Sequence, residues 1–127
     1  MIVGLGMDII EIERIRGVYR RHPQRFVSRI LTEAEQAYVL SFGDPAPSLA
    51  GRWAAKEAAL KALGTGQAAG IGWRDVEILP DERGKPILHF HGAARARANE
   101  LSATRAHVTI THSDLFAAAQ VILEEGP

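Results

Sequence analysis

The sequence predicts a small α+β domain, with helices gathered in its first half and antiparallel strands in its second. Three observations carry that expectation. Between Glu11 and Gly64 a proline start, a capping pattern and an alanine-rich run follow one another, and all are helical features. After Gly72 the segments "WRDVEIL", "PILHF" and "HVTITH" read as strands, two of them joined by the turn "PDERGKP". The 127 residues, 46% hydrophobic and 24% charged, suit one compact soluble domain over 1–127, with no linker, repeat or low-complexity tract.

Met1–Ile10 reads as a buried strand, and Glu11 to about Arg21 as a short arginine-rich helix. Pro23 starts a second short helix. Thr32, followed three residues later by Glu35, is a capping-box pattern that opens a third. "SFGDPAPS" is a loop, and Ser48 is the expected N-cap of the long helix that runs through "RWAAKEAALKAL" to Gly64. "WRDVEIL" and "PILHF" form a hairpin, "GAARARANELSA" a helix, and "HVTITHSDLFAAAQVILE" two antiparallel strands joined near Ser113-Asp114.

Composition excludes several kinds of chemistry. With no cysteine there is no disulfide framework, no thiolate zinc site and no thiol nucleophile. The N-terminus lacks the basic flank and apolar run of a signal peptide, and no segment has the apolar length of a membrane span, so a cytoplasmic protein is expected. The net charge of zero conceals an asymmetry. From Arg14 to Arg29 there are six arginines (14, 16, 20, 21, 25 and 29) and no acidic residue. Such a block is either a solvated face or a dock for something acidic: nucleic acid, an anionic membrane or an acidic protein.

Asp8 sits in a run, "IVGLGMDIIEI", that otherwise favours burial, so its carboxylate needs a partner, a proton or a cation. In "RWAAKEAALKALGTG" Trp53, Glu57, Lys61 and Gly64 share one helical stripe, which sets a carboxylate one turn before an ammonium. An exposed Glu–Lys pair of that spacing explains itself. Two carboxylates, Asp8 and Glu57, would also suit magnesium, which takes one or two protein carboxylates, several waters and a substrate phosphate oxygen. "GTG" at 64–66 offers unobstructed backbone amides for phosphate contact, yet a helix stop calls for the same letters, and no Walker lysine follows. Alternation places His107, Thr109 and Thr111 on one strand face and Val108, Ile110 and His112 on the other. His112 and Ser113 have no nucleophile elbow around them.

These pieces resemble one family. "GLGMDIIEIERI", "ILTEAE", "GRWAAKEAALKALGTG", "DVEI", "GKP" and "HVTITHSDLFAAAQVILE" occur in the order seen in holo-[acyl-carrier-protein] synthases. These are the short, bacterial-type 4′-phosphopantetheinyl transferases, and the likeness runs from about Ile2 to Glu124. Trp53 stands where the family often has Phe, and Thr109 where it often has Ser; an aromatic and a hydroxyl are kept.

The resemblance implies transfer of the phosphopantetheine arm of coenzyme A to a serine of apo-acyl carrier protein, releasing 3′,5′-ADP, in support of fatty acid biosynthesis. It implies Asp8 and Glu57 as magnesium ligands and Lys61 as a diphosphate contact. It places Arg52, Lys56, Gly64, Thr65 and Gly66 in the coenzyme A site, and His107 near the nucleotide, from its own or a neighbouring chain. The base for the serine hydroxyl is Glu57 or a water on the metal. It implies that the helix bearing Arg14, Arg16, Arg20 and Arg21 docks the acidic carrier protein. It also implies a homotrimer with sites shared between chains, each chain being one half-unit of the larger fused transferases. Neither nucleic acid nor membrane is an expected partner. Two rivals stand beside this reading: a non-catalytic docking module, which has no use for Asp8, Glu57 and Lys61 together, and a phosphotransferase acting on another nucleotide.

Overall fold

A computed structural model describes residues 1–126. The chain runs β1 (Ile2–Glu11), α1 (Ile12–Arg21), α2 (Pro23–Ile30), α3 (Glu33–Val39) and α4 (Ala46–Leu63). A single 3₁₀ turn (Trp73–Asp75) then leads to β2 (Val76–Pro80), β3 (Pro86–Phe90), α5 (Gly92–Glu100), β4 (Arg105–His112) and β5 (Phe116–Glu124). The strands form a three-stranded antiparallel sheet in the order β1-β5-β4 and a separate β2-β3 hairpin. The α+β architecture is the expected one.

Local signals explain most boundaries. Thr32 Oγ1 accepts the Glu35 N–H at 3.2 Å, and the Glu35 carboxylate accepts the Thr32 N–H at 2.9 Å, so both halves of the capping box form. Gly64 ends α4 in the left-handed conformation, at φ +76°, as a C-terminal glycine should. Two expectations need correction. Ser48 does not cap α4 but lies in its first turn; Asp44 instead accepts the Ala46 N–H at 3.2 Å. "WRD" is not strand either, because Asp75 Oδ2 turns back to accept the Gly72 N–H at 3.0 Å, which winds a 3₁₀ turn before β2.

Helix α4 is the hub of the molecule. Its alanines 54, 55, 58 and 59 are fully buried, with Leu49, Leu60 and Leu63. One end packs against α1–α3, the other against both sheets and α5. The inner face of β1 reads Gly4, Gly6, Asp8 and meets this helix directly. A Cβ on Gly4 would stand 2.3 Å from the Ala62 carbonyl oxygen, and one on Gly6 1.9 Å from that of Ala58. Strand and helix therefore touch backbone to backbone, which only glycine permits. The next inward residue, two positions on, is Asp8.

The expectation of a buried β1 holds for one face only. Leu5, Met7 and Ile9 point outward and are 59%, 62% and 63% exposed. They lie beside Ile122, Gln120 and Ala118 of β5, which pair in turn with His107, Thr109 and Thr111 of β4. No helix among the described residues is long and apolar enough to cross a membrane.

Candidate active site

Asp8 of β1 and Glu57 and Lys61 of α4 line one hollow. The Lys61 ammonium donates to the Met7 carbonyl at 2.9 Å and to Asp8 Oδ1 at 3.2 Å. Burial pushes the Glu57 carboxyl above the usual carboxylate range, the Asp8 charge pushes it further, and Lys61 opposes both. That hollow, of about 420 Å³, is also lined by Arg14, Phe26 and Trp53. Trp53 stacks on Trp73 at 4.6 Å between ring centroids and stands 6.2 Å from Phe26, forming an aromatic wall. A second hollow of about 340 Å³ lies along the same wall, bordered by Arg29, Trp73 and Gln67 of the loop after Gly66.

Two adjacent carboxylates raise the question of a cation. No group of three or more His, Cys, Asp or Glu residues suited to a metal occurs among the described residues. A fully protein-caged ion is therefore not what the described residues offer. A pair of carboxylates in an open hollow does fit magnesium, whose remaining positions go to water and substrate phosphate.

Residues 4–115 match the family model of the 4′-phosphopantetheinyl transferase superfamily. The chain belongs to that superfamily. Among similar transferases is the holo-[acyl-carrier-protein] synthase of Solidesulfovibrio magneticus, 51% identical over 98% of this chain and 99% of that protein. The solved holo-[acyl-carrier-protein] synthase of Neisseria meningitidis superposes with a TM-score of 0.89 at 34% identity, covering 98% of this chain and 99% of that one. That of Bacillus anthracis, solved in complex with CoA (3′,5′-ADP), does so with a TM-score of 0.82 at 40% identity and 99% coverage of both.

In this transferase the other expected site residues are dispersed. Arg52 is 7% exposed, stacked over the Tyr38 ring at 4.7 Å, with Nη1 3.4 Å from Ser48 Oγ. Burial pulls its guanidinium below the ordinary arginine value. Its Nε has no hydrogen-bond partner, and it borders a third hollow of about 320 Å³ with Phe42, Ser48 and His112. That hollow shares no lining residue with the one around Glu57. Gly64 caps α4 one turn after Lys61, where Arg97 Nε from α5 donates to the Leu63 carbonyl at 2.9 Å. Thr65 Oγ1 donates to the Gly66 carbonyl at 3.1 Å. His107 stands on the outer face of the sheet, its Nε2 3.2 Å from Glu124 Oε1, away from the Asp8 face.

Two of the expected residues are engaged within the fold itself. Lys56 was expected at the coenzyme, but its side chain is fully buried, and all three ammonium donors are committed to Glu35 and to the Trp73 and Val76 carbonyls. No donor remains for a ligand. Arg16 was expected on the docking face, but Nη1 lies 2.7 Å from both Asp44 oxygens and Nε 2.9 Å from Glu13. These pairs hold its guanidinium above the ordinary value and fasten α1 to the loop before α4. Arg14, Arg20 and Arg21 are exposed and make no ion pair among the described residues, and Arg14 also lines the hollow.

Proposed function

We propose that the chain transfers the 4′-phosphopantetheine arm of coenzyme A to a serine of apo-acyl carrier protein, releasing 3′,5′-ADP, with magnesium as cofactor and fatty acid synthesis in the cytoplasm as its setting. The observation that carries this reading is the convergence of Asp8, Glu57 and Lys61 on one hollow beside an aromatic wall. Asp8 and Glu57 would hold the metal, which when bound supplies Lewis-acid stabilisation of the diphosphate charge.

The chain's own residues do the rest. Lys61 exchanges its exposed pairing with Asp8 for a diphosphate oxygen, a cheap exchange because exposed ion pairs are weak. The serine oxygen forms a bond to the phosphorus that carries pantetheine, and the bond from that phosphorus to the ADP oxygen breaks. The hydroxyl proton goes to the Glu57 carboxylate, which lines the hollow beside Asp8 and Lys61. Positioning and charge suffice for such a transfer, so no protein nucleophile is needed. Arg52, buried with an unpartnered Nε, is the group of this chain suited to a further phosphate of the coenzyme. Apo-acyl carrier protein incubated with coenzyme A, magnesium and this protein should gain the mass of one phosphopantetheine. A carrier lacking its serine should gain nothing, and an unmodified wild-type carrier would exclude the reading.

Docking is assigned to Arg14, Arg20 and Arg21, which suit an acidic partner. Arg20 and Arg21 lie outside the hollow, so they test the dock alone. Replacing both with alanine should raise the Michaelis constant for apo-acyl carrier protein about three- to tenfold and leave that for coenzyme A within about twofold. The salt dependence of carrier binding should flatten, since exposed charges are screened over roughly 8 Å at physiological salt. Equal weakening of both substrates would reject the dock.

A homotrimer with shared sites completes the proposal. The outward Leu5, Met7 and Ile9 form an uncovered apolar strip, and His107 stands on that same face rather than beside Asp8. Sedimentation as a monomer at assay concentration would count against shared sites.

A further inference from the structure

Two fully enclosed charges take no part in the transfer described above. Lys56 and Glu35 are both 0% exposed. A buried ion pair gains little over apolar residues of the same volume, so filling space does not account for it. Its geometry does. Lys56 Nζ donates to Glu35 Oε1 at 2.9 Å, to the Trp73 carbonyl at 3.0 Å and to the Val76 carbonyl. Glu35 also accepts the N–H groups of Ile78 and Thr32, each at 2.9 Å. Every strong donor and acceptor of the pair is used, and together they tie two segments, the start of α3 and the run Trp73–Ile78, to α4.

One of those segments carries the Trp73 ring, which stacks on Trp53 at 4.6 Å and an interplanar angle of 28°. Trp53 in turn lines the hollow with Glu57 and Lys61. On α4, Trp53 precedes Lys56 by three residues and Glu57 follows it directly. The ammonium therefore sits behind the wall and the carboxylate together.

We propose that the Glu35–Lys56 pair is a positioning device for the transfer: it clamps the Trp73 backbone to α4 and so holds the Trp73–Trp53 stack as a fixed wall beside Glu57 and Lys61. This role rests on the transferase reading of that hollow. Neither residue touches substrate; both act through the stack.

The chain has only two tryptophans, so the stack has its own optical signature, a pair of far-ultraviolet circular-dichroism bands of opposite sign. The test is the double variant Glu35→Gln/Lys56→Met, which keeps volume, leaves no unpaired charge and retains an oxygen for the Ile78 N–H. It should melt cooperatively, lose about half or more of the band pair, and show kcat lowered about tenfold or more, as misplacement near a reacting centre does. The Michaelis constant for apo-acyl carrier protein should stay within about twofold, because the arginine dock is untouched. An unchanged band pair with unchanged kcat overturns the proposal. If the double variant does not fold, Glu35→Gln alone is read in the same way, and failure of both to fold overturns positioning in favour of a purely structural pair. The bands are recorded without substrate, so a wild-type protein that transfers nothing overturns the transferase reading while the bands still judge the clamp.

Discussion

Glu57→Gln should lower turnover by about a thousandfold and leave the fold intact, since under the proposed roles it removes both a metal ligand and the proton acceptor. The melting temperature at neutral pH should not fall, and the sign follows from the raised proton affinity of Glu57. The folded chain holds that proton more tightly than the unfolded chain, so ionisation of this carboxylate costs stability. The cost begins above the ordinary carboxylate value and is complete above the folded one. A neutral glutamine avoids it. Asp8→Asn should lose activity comparably but recover part of it when magnesium is raised, because one ligand remains. More than a tenth of wild-type turnover in Glu57→Gln at limiting magnesium would defeat the shared-ligand assignment.

Gly6→Ala should be the most damaging single methyl in the protein. Its Cβ would stand 1.9 Å from the Ala58 carbonyl oxygen and 2.8 Å from the Ala62 nitrogen, both backbone atoms that no rotamer change can move. Strand β1 would have to lift from α4, at a cost of about 3 kcal/mol or more, as overpacking at a rigid contact demands. The expected fall in melting temperature is roughly 10 °C for a domain of this size. Activity should fall further than stability, because Asp8, two residues on, would be carried away from Glu57 and Lys61. Gly43→Ala is the control, since nothing lies within 4 Å of a Cβ there. Equal melting of the two variants would show that the strand–helix contact is looser than its geometry says.

The helices and strands were largely readable from local chemistry, as the Thr32–Glu35 capping box and the Gly64 stop illustrate. Both errors of boundary arose where a side chain competed with the expected pattern: Asp44 took the Ala46 N–H at the start of α4 ahead of Ser48, and Asp75 wound a turn ahead of β2. The Glu57–Lys61 stripe follows from helical spacing alone, and the structure adds Asp8 to it. What the sequence hid was long-range. Glu35 shows only its local capping role, and its second partner, Lys56, lies 21 residues away. The alanines flanking Lys56 were the available signal, since a lysine amid such small apolar residues is poorly placed to reach solvent. Gly4 and Gly6 carried a signal as well: two glycines at strand spacing, leading to an inward aspartate, mark a strand pressed against another backbone.

The way α4 is buried has a consequence for how such a protein can change over generations. Its eighteen residues supply the centre of the core and, on the same few turns, Glu57 and Lys61. Selection therefore has no separate handle on durability and on rate. A bulkier residue in place of Ala58 or Ala59 that repacked the interior would also shift the carboxylate's height against Asp8. Adaptation to new carrier proteins has its freedom elsewhere, in the exposed arginines of α1 and α2, where substitutions leave the axis of the molecule alone.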